Sequence, residues 1–596
     1  MATVRNGLSA ASTRVPTIIA AGLIGILAVA LFRLQVVEYS RYRRLAENNY
    51  VVQASIKAPR GEILDRNGFV IAGSRQSFSI CGVPRSLLAD DEEICVLAGI
   101  LEVEEDFIRS RLEHTALSYR PTAILRDADF ATMSLIEELY VDLPDVMVVS
   151  EPVRSYPRGP HFNHMIGYVG EVTQNEIASE SGDYQPGDFI GKAGVERYYE
   201  EYLRGVDGMR YVQFSPGQGT RPMEVTYLPA DNPRPGMRLI LNADDGLQLL
   251  AHSLLKNRGG CIIALDVRTG GVLAMVSGPT FDPNLFATGI SSSDWNDIIG
   301  SPGKPLINRA IQSRYPPGSV YKLVSAGAAL ERGVLNRRTR FKPCTGSYRF
   351  GNRDFGCWKK DGHGSVDLTG AIEVSCDIYL YQLAERLGLD NFSASSMEWH
   401  LNERTGIDLP GEIAGIVPSK EYFDELYGKR KWTRGVMLNL SIGQGELLIT
   451  PLRMICFISG LANGGICHEP RCARRAEHDG RTHDFEGESV ELVMSRSTIE
   501  ILREGMRDVV QGDHGTGRSA RQPGIEVAGK TGTAQNPHGD DHASFACFAP
   551  YDDPEIAIYV LLENAGHGGA VAAPLAGEIL SYYFGEGSLE EVAILR

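Results

Sequence analysis

Long apolar runs are nearly missing from this 596-residue sequence, and a mean hydropathy of −0.14 excludes a protein that crosses a membrane many times. Positive charge is also short. Fifty-nine Lys and Arg face 75 Asp and Glu, and the net charge of −16 argues against a nucleic-acid partner held by broad phosphate attraction. No Gly-x-x-x-x-Gly-Lys-Ser/Thr phosphate loop occurs, and residues 39–232 contain neither an internal repeat nor a low-complexity tract. What remains is ordinary globular composition, with 43% hydrophobic, 8% aromatic and 22% charged residues, in a chain long enough for several domains.

The one apolar run, Val15 to Phe32, is eighteen uncharged residues and is prolonged by Val36 and Val37. Its length suits an uncleaved membrane anchor; a cleaved signal peptide is the rival, since Ala28-Val29-Ala30 offers a small-x-small site. Arginines flank both ends, so orientation has to follow from what the rest of the chain does. Arg41–Asn49 has helix-forming composition and would continue the anchor until Pro59-Arg60-Gly61 breaks it. The proline-rich stretch Leu228–Gly236 is the clearest boundary. Beyond it the patterns predict a strand over Arg238–Asn242, a helix over Asp245–Leu255, and a hairpin of Cys261–Val267 and Gly271–Val276. A helix-rich middle follows, with late strands at Ile525–Gly529, His542–Phe548 and Ile556–Leu562. The fold class is α+β, helices packed on an antiparallel sheet.

A lysine one helical turn from a serine can take its proton without a histidine. Ser301-Pro302-Gly303-Lys304 is a poor candidate, because proline and glycine oppose the helix that would align the pair. Ser319-Val320-Tyr321-Lys322 follows the turn Tyr315-Pro316-Pro317-Gly318 and opens an apolar helix over Leu323–Leu330. That puts Ser319 at a helix N-terminus with Lys322 beside it. Alone, the pattern reads first as an N-cap serine and a surface lysine, since Ser-x-x-Lys is expected by chance about once in a chain of this length. Ser375-Cys376-Asp377 and Lys530-Thr531-Gly532-Thr533 follow it in order, and serine-x-x-lysine, serine-x-aspartate or asparagine, and lysine-threonine-glycine are the three elements of penicillin-recognising serine enzymes.

On these motifs the chain resembles the class B penicillin-binding proteins of the elongation type. Further matching stretches are Pro59–Gly68, Arg154-Ser155-Tyr156-Pro157, His164–Glu171, Gly191–Tyr199, Ser441–Gly445 and Thr450-Pro451-Leu452. The resemblance implies a tail at 1–14, a transmembrane anchor at 15–38, an elongated pedestal domain at 39–232 and a transpeptidase domain at 233–590. It implies crosslinking of peptidoglycan stem peptides through an acyl-serine, with D-Ala released and β-lactams acylating Ser319. Lys322 would be the base, Ser375 a proton relay, Asp377 a further member of the centre, and Lys530 a like charge lowering the pKa of Lys322. Thr531, Gly532 and Thr533 would hold the substrate, and the Ser319 and Thr533 amides would form the oxyanion hole. It also implies a RodA-type lipid II polymerase and the elongation machinery as partners, and a catalytic domain outside the inner membrane. Asp377 stands where many relatives carry asparagine, and Ser544 where tryptophan is usual.

Cys344, Cys357, His363 and Cys376 crowd one insert. Structural zinc, a Cys344–Cys357 disulfide and unrelated thiols are three readings of them. Relatives with a zinc site of Asp, Asp, His and Cys in this insert favour zinc by resemblance. His161 and His542 read as structural, since a Ser-Lys system needs no imidazole. Rival functions are a noncatalytic scaffold activating a polymerase, a β-lactam receptor, a β-lactamase and a division-type transpeptidase.

Overall fold

The computed structural model describes all residues outside 1–9, 40–49, 114, 116–120, 180–183, 215–222, 225–229, 430 and 586–596. The helix expected over Arg41–Asn49 lies outside the described residues. Helix α1 (Ala10–Phe32) runs on as a π-helical turn to Val37. Its described side chains are exposed, Ile18 at 71% and Leu27 at 64%. Its 23 residues span about 35 Å at 1.5 Å per residue, long enough to cross a bilayer core. It is the one helix among the described residues that is long and apolar enough to cross a membrane.

The remainder forms two compact units. One comprises residues 1–58, 76–151 and 206–234. In it, Tyr50–Ile56 pairs antiparallel with Gly208–Phe214, and the end of Val70–Gly82 pairs with Thr122–Leu125. The helices Asp91–Leu101 and Glu105–Glu113 bury Ile94, Leu97, Ile108 and Leu112 against Ile80 and Ile124. Asp90 caps the first of them by accepting the Glu92 and Glu93 amides.

The other unit comprises residues 59–75, 152–205 and 235–596. Segments well before the transpeptidase motifs therefore pack with them: Tyr199 donates to Asp408 at 2.7 Å and Arg158 pairs with Asp245. Buried charge ties those early segments to one another. Arg154 donates to Glu196 at 2.6 Å and to the Gly61 carbonyl at 2.7 Å, while Arg60 binds both Glu196 and Glu200. Each charge is paired at close range, the condition under which it tolerates burial. The matching stretches Pro59–Gly68, Arg154–Pro157 and Gly191–Tyr199 are thus one ionic knot.

Elements that build the site are numbered in chain order. Helix α2 (Asp245–Leu255) takes the predicted bounds, followed by strands β1 (Gly260–Asp266) and β2 (Val272–Gly278). Helices α3 (Lys322–Glu331), α4 (Asp377–Glu398) and α5 (Pro451–Ala462) come next, then strands β3 (Ile466–His468) and β4 (Ser489–Glu491) and helix α6 (Arg496–Gln511). Strands β5 (Ala528–Ala534), β6 (His542–Ala549) and β7 (Ile556–Leu562) precede helix α7 (Gly568–Tyr583). The central sheet has the order β2-β1-β7-β6-β5, antiparallel throughout, with β5 at its edge. Helices α2 and α7 pack together and on the sheet, and α5, buried along its whole length, packs on β1, β6 and β7. Thr450 caps α5 by accepting the Arg453 amide, and Pro451 fills its first turn, which gives the Thr450-Pro451-Leu452 stretch its physical meaning.

The α+β expectation holds, with one shift. The strand expected over Ile525–Gly529 begins at Ala528 and runs through Lys530, Thr531 and Gly532. Ile525 instead bridges back to Gln522 in a tight turn, while every residue from Ala528 to Ala534 finds a partner on β6. The Lys-Thr-Gly residues therefore lie within the edge strand rather than beyond its end.

Candidate active site and the adjoining thiol cluster

Ser319 sits in a 3₁₀ turn, Gly318–Tyr321, that feeds α3 at Lys322. Gly318 has φ +57°, and a Cβ there would lie 2.8 Å from the Thr533 carbonyl oxygen, so the turn and β5 approach closer than any side chain permits. The Gly318 amide donates to Gly443 O at 2.9 Å, and Ser325 Oγ to Ser441 O at 2.9 Å. Gln444 donates to Thr533 O at 3.1 Å. The Ser441–Gly445 stretch is thus a brace joining the serine turn to the edge strand.

Lys322 is fully buried, and its ammonium donates to Asp377 Oδ1 at 2.7 Å, Ser375 O at 2.8 Å and Ser375 Oγ at 3.1 Å. Lys530, also fully buried, donates to the same Ser375 Oγ at 2.9 Å and to Thr531 O at 3.0 Å. One hydroxyl therefore bridges two amines. Ser375 is held at φ +52°, a left-handed conformation unusual outside glycine, which aims its side chain between the two lysines. The Asp377 carboxylate pairs with Lys322. Burial first, and the Lys322 charge second, hold Lys530 well below the ordinary lysine pKa, while Asp377 opposes them. Ser319 Oγ is half-buried and has no hydrogen-bond partner among the described residues.

Thr531 is buried and its hydroxyl meets Thr516 Oγ1 at 2.7 Å. Thr516 escaped the sequence reading, for nothing in Gly512–Gly517 marks it as a neighbour of β5. Ser544 is buried opposite Gly532, and a Cβ on Gly532 would collide with its hydroxyl, so Ser544 packs beneath the strand. The alternative pair fails as expected: Ser301 and Lys304 lie in a turn, not on a helix.

Cys344, Cys357, His363 and Cys376 converge with their ligand atoms all within 4.8 Å of one another. His363 Nδ1 lies 3.6 Å from Cys344 Sγ and 3.5 Å from Cys357 Sγ. A tetrahedral zinc with Zn–S of about 2.3 Å and Zn–N of about 2.0 Å has N···S edges of about 3.5 Å, so the donor set and its spacing fit that ion. A hairpin of Ser347–Phe350 and Arg353–Gly356 and the Cys344–Gly364 bridge bring the donors together. Trp358, next to Cys357, donates its main-chain N–H to Asp377 Oδ2 at 3.0 Å and its indole N–H to Val374 O at 3.0 Å. The cluster therefore grips the carboxylate that holds Lys322. The sequence placed Cys376 between Ser375 and Asp377 but carried no sign of the Trp358 contacts.

The family model described as penicillin binding protein transpeptidase domain matches residues 260–581, and that described as penicillin-binding protein dimerisation domain matches 55–241. The chain belongs to the penicillin-binding protein transpeptidases. The peptidoglycan D,D-transpeptidase MrdA of Acinetobacter baumannii is 35% identical over 92% of this chain and 84% of that one; the protein of that name from Escherichia coli K12 is 32% identical, over 94% and 92%. The solved complex of penicillin-binding protein 2 with MreC from Helicobacter pylori superposes with a TM-score of 0.78 at 26% identity, covering 90% of this chain and all of that one. Within the class, the chain falls in the elongation-type penicillin-binding protein 2 group.

Proposed function

We propose that this chain crosslinks peptidoglycan with Ser319 as the nucleophile and the Lys322–Ser375–Lys530 centre as its proton carrier. The reaction is D,D-transpeptidation during elongation. Ser319 Oγ attacks the penultimate D-Ala carbonyl of a stem peptide and gives its proton to Lys322 Nζ. The proton reaches the leaving D-Ala amine through Ser375, and an amine of a second stem then takes the acyl group, returning Ser319. The carrying observation is the Ser375 hydroxyl bonded to both lysines. Burial and the neighbouring Lys322 charge hold Lys530 well below the ordinary lysine pKa, and the shared Ser375 hydroxyl offers a path for a proton between the two amines. Thr531 and Thr533 hold the substrate carboxylate, Gly532 lets peptide lie against the edge strand, and the Ser319 and Thr533 amides receive the oxyanion.

Zinc held by Cys344, Cys357, His363 and Cys376 supplies no bond-making; it fixes the loop that aims Asp377 and Ser375. The anchor at 15–38, which α1 overlaps, sits in the cytoplasmic membrane, with the pedestal (39–232) and transpeptidase (233–590) domains on the peptidoglycan side. A RodA-type polymerase and the elongation machinery are the partners, a reading supported by a Helicobacter pylori relative solved with MreC.

Intact mass spectrometry of the full chain in detergent, with benzylpenicillin, tests the nucleophile. A lasting covalent adduct absent from Ser319→Ala is expected. A folded chain with no adduct overturns the reading in favour of a scaffold, and rapid adduct loss favours a β-lactamase. Native spectra read the zinc: an increment lost with Cys376→Ser supports it, and a deficit of about two mass units marks a disulfide instead.

A further inference from the structure

Two cysteines outside the catalytic centre and outside the four-residue cluster lie against each other. Cys456 is on α5 and Cys467 on β3; both are free thiols, 1% and 7% exposed. Cys467 Sγ donates to the Cys456 carbonyl at 3.3 Å. Gly460 lies one turn further along the same face of α5, and a Cβ there would stand 3.3 Å from Cys467 Cβ. Cys467 thus packs directly on the face of α5 that carries Cys456. A cavity of about 170 Å³ reaches both residues, between Trp399, Arg453 and Glu469, with the exposed Val490 at its rim. A small oxidant can therefore approach the pair in the folded chain.

We infer that Cys456 and Cys467 are a disulfide-forming site that clasps α5 to β3. The Cys467 thiolate, on the more accessible side, attacks one sulfur of a small-molecule disulfide and expels one thiolate. Cys456 then attacks Cys467 Sγ and expels the remaining half. The two cysteine protons go to the two released thiolates; the cysteine pair loses two electrons and the oxidant gains them. The bond closes a short loop through the Asn463–Gly465 turn and fixes the β3–β4 sheet to the helix beneath the catalytic sheet. Extracytoplasmic placement, proposed above, would expose the pair to oxidising conditions. The chemistry does not depend on that placement.

The test uses the full chain in detergent, incubated with oxidised glutathione, then alkylated in denaturant and digested. A peptide pair joined through Cys456 and Cys467 is expected, absent from Cys456→Ser, together with a rise of a few degrees in the unfolding midpoint that dithiothreitol reverses. Alkylation of both thiols after oxidation, glutathione retained on Cys467 alone, or the same rise in Cys456→Ser would each overturn the assignment. If Cys456→Ser does not fold, Cys467→Ser and the peptide map of the unsubstituted chain decide it. Failure of benzylpenicillin acylation would sink the transpeptidase reading and leave these outcomes unchanged.

Discussion

The lysine–carboxylate centre and the thiol–imidazole cluster meet at residues 375–377, yet they are assembled differently. Lys322, Ser375, Asp377 and Lys530 come from α3, the start of α4 and the edge strand, far apart in the chain. All four members of the cluster come from the stretch Cys344–Cys376, folded by one hairpin and one bridge. Two like charges buried against one carboxylate repel, so they stay together only where a whole core holds them. Thiols and an imidazole need no such enclosure, and a local loop positions them. The chemistry thus rests on the global fold, while its aim is adjusted by a local device through Trp358 and Asp377.

The sharpest way to break this contrast is Lys322→Met. Acylation by benzylpenicillin should fall about 10³-fold, the size of a lost general base, and the unfolding midpoint should drop because Asp377 loses its buried cation. A mutant that still acylates rapidly would remove Lys322 from the chemistry. Next in size is metal removal: chelation, or Cys357→Ser, should slow acylation about tenfold and lower the midpoint together. Loss of stability with unchanged acylation would mean that the cluster does not aim the centre.

Asp377→Asn separates the two regions further, since an asparagine can still accept the Trp358 amide but cannot neutralise Lys322. Acylation should fall several-fold to about tenfold with the metal retained, as native mass spectrometry can read. Thr516→Val removes one neutral hydrogen bond to Thr531 and should reduce the second-order acylation constant about fivefold, from roughly 1 kcal/mol.

The smallest effect is on pH. Lys530 in the folded chain sits below its unfolded value of 10.5, so between the two values the unfolded chain binds more protons. Stability should therefore rise with pH through that window, by at most about 1.4 kcal/mol per unit, and Lys530→Met should flatten the rise in melts run from neutral pH upward. An unchanged slope would place the titration elsewhere.

Much of the fold was legible because local patterns matched tertiary outcomes. Helix α2 and strand β7 took their predicted bounds, since amphipathic periodicity and an apolar run agreed with burial. Strand β5 did not, because Lys530, Gly529 and Gly532 have little strand propensity and the ladder to β6 is what makes them one. The membership of residues 59–75 and 152–205 in the catalytic unit was also hidden, as it depends on contacts across the chain such as Arg158 with Asp245 and Tyr199 with Asp408.

By itself, the sequence determined the reactive inventory: a serine and lysine spaced for one helical turn, the Ser-Cys-Asp and Lys-Thr-Gly elements in order, four soft ligands in one insert and one run long enough for a bilayer. Spacing along a chain encodes what neighbours within a turn or loop can do. Tertiary structure alone decided that Ser375 bridges two lysines, that burial lowers the Lys530 pKa, that Trp358 holds Asp377, and that Cys467 packs against Cys456. Those facts depend on which buried groups share a low-dielectric space, and contact across the fold sets them rather than adjacency in sequence.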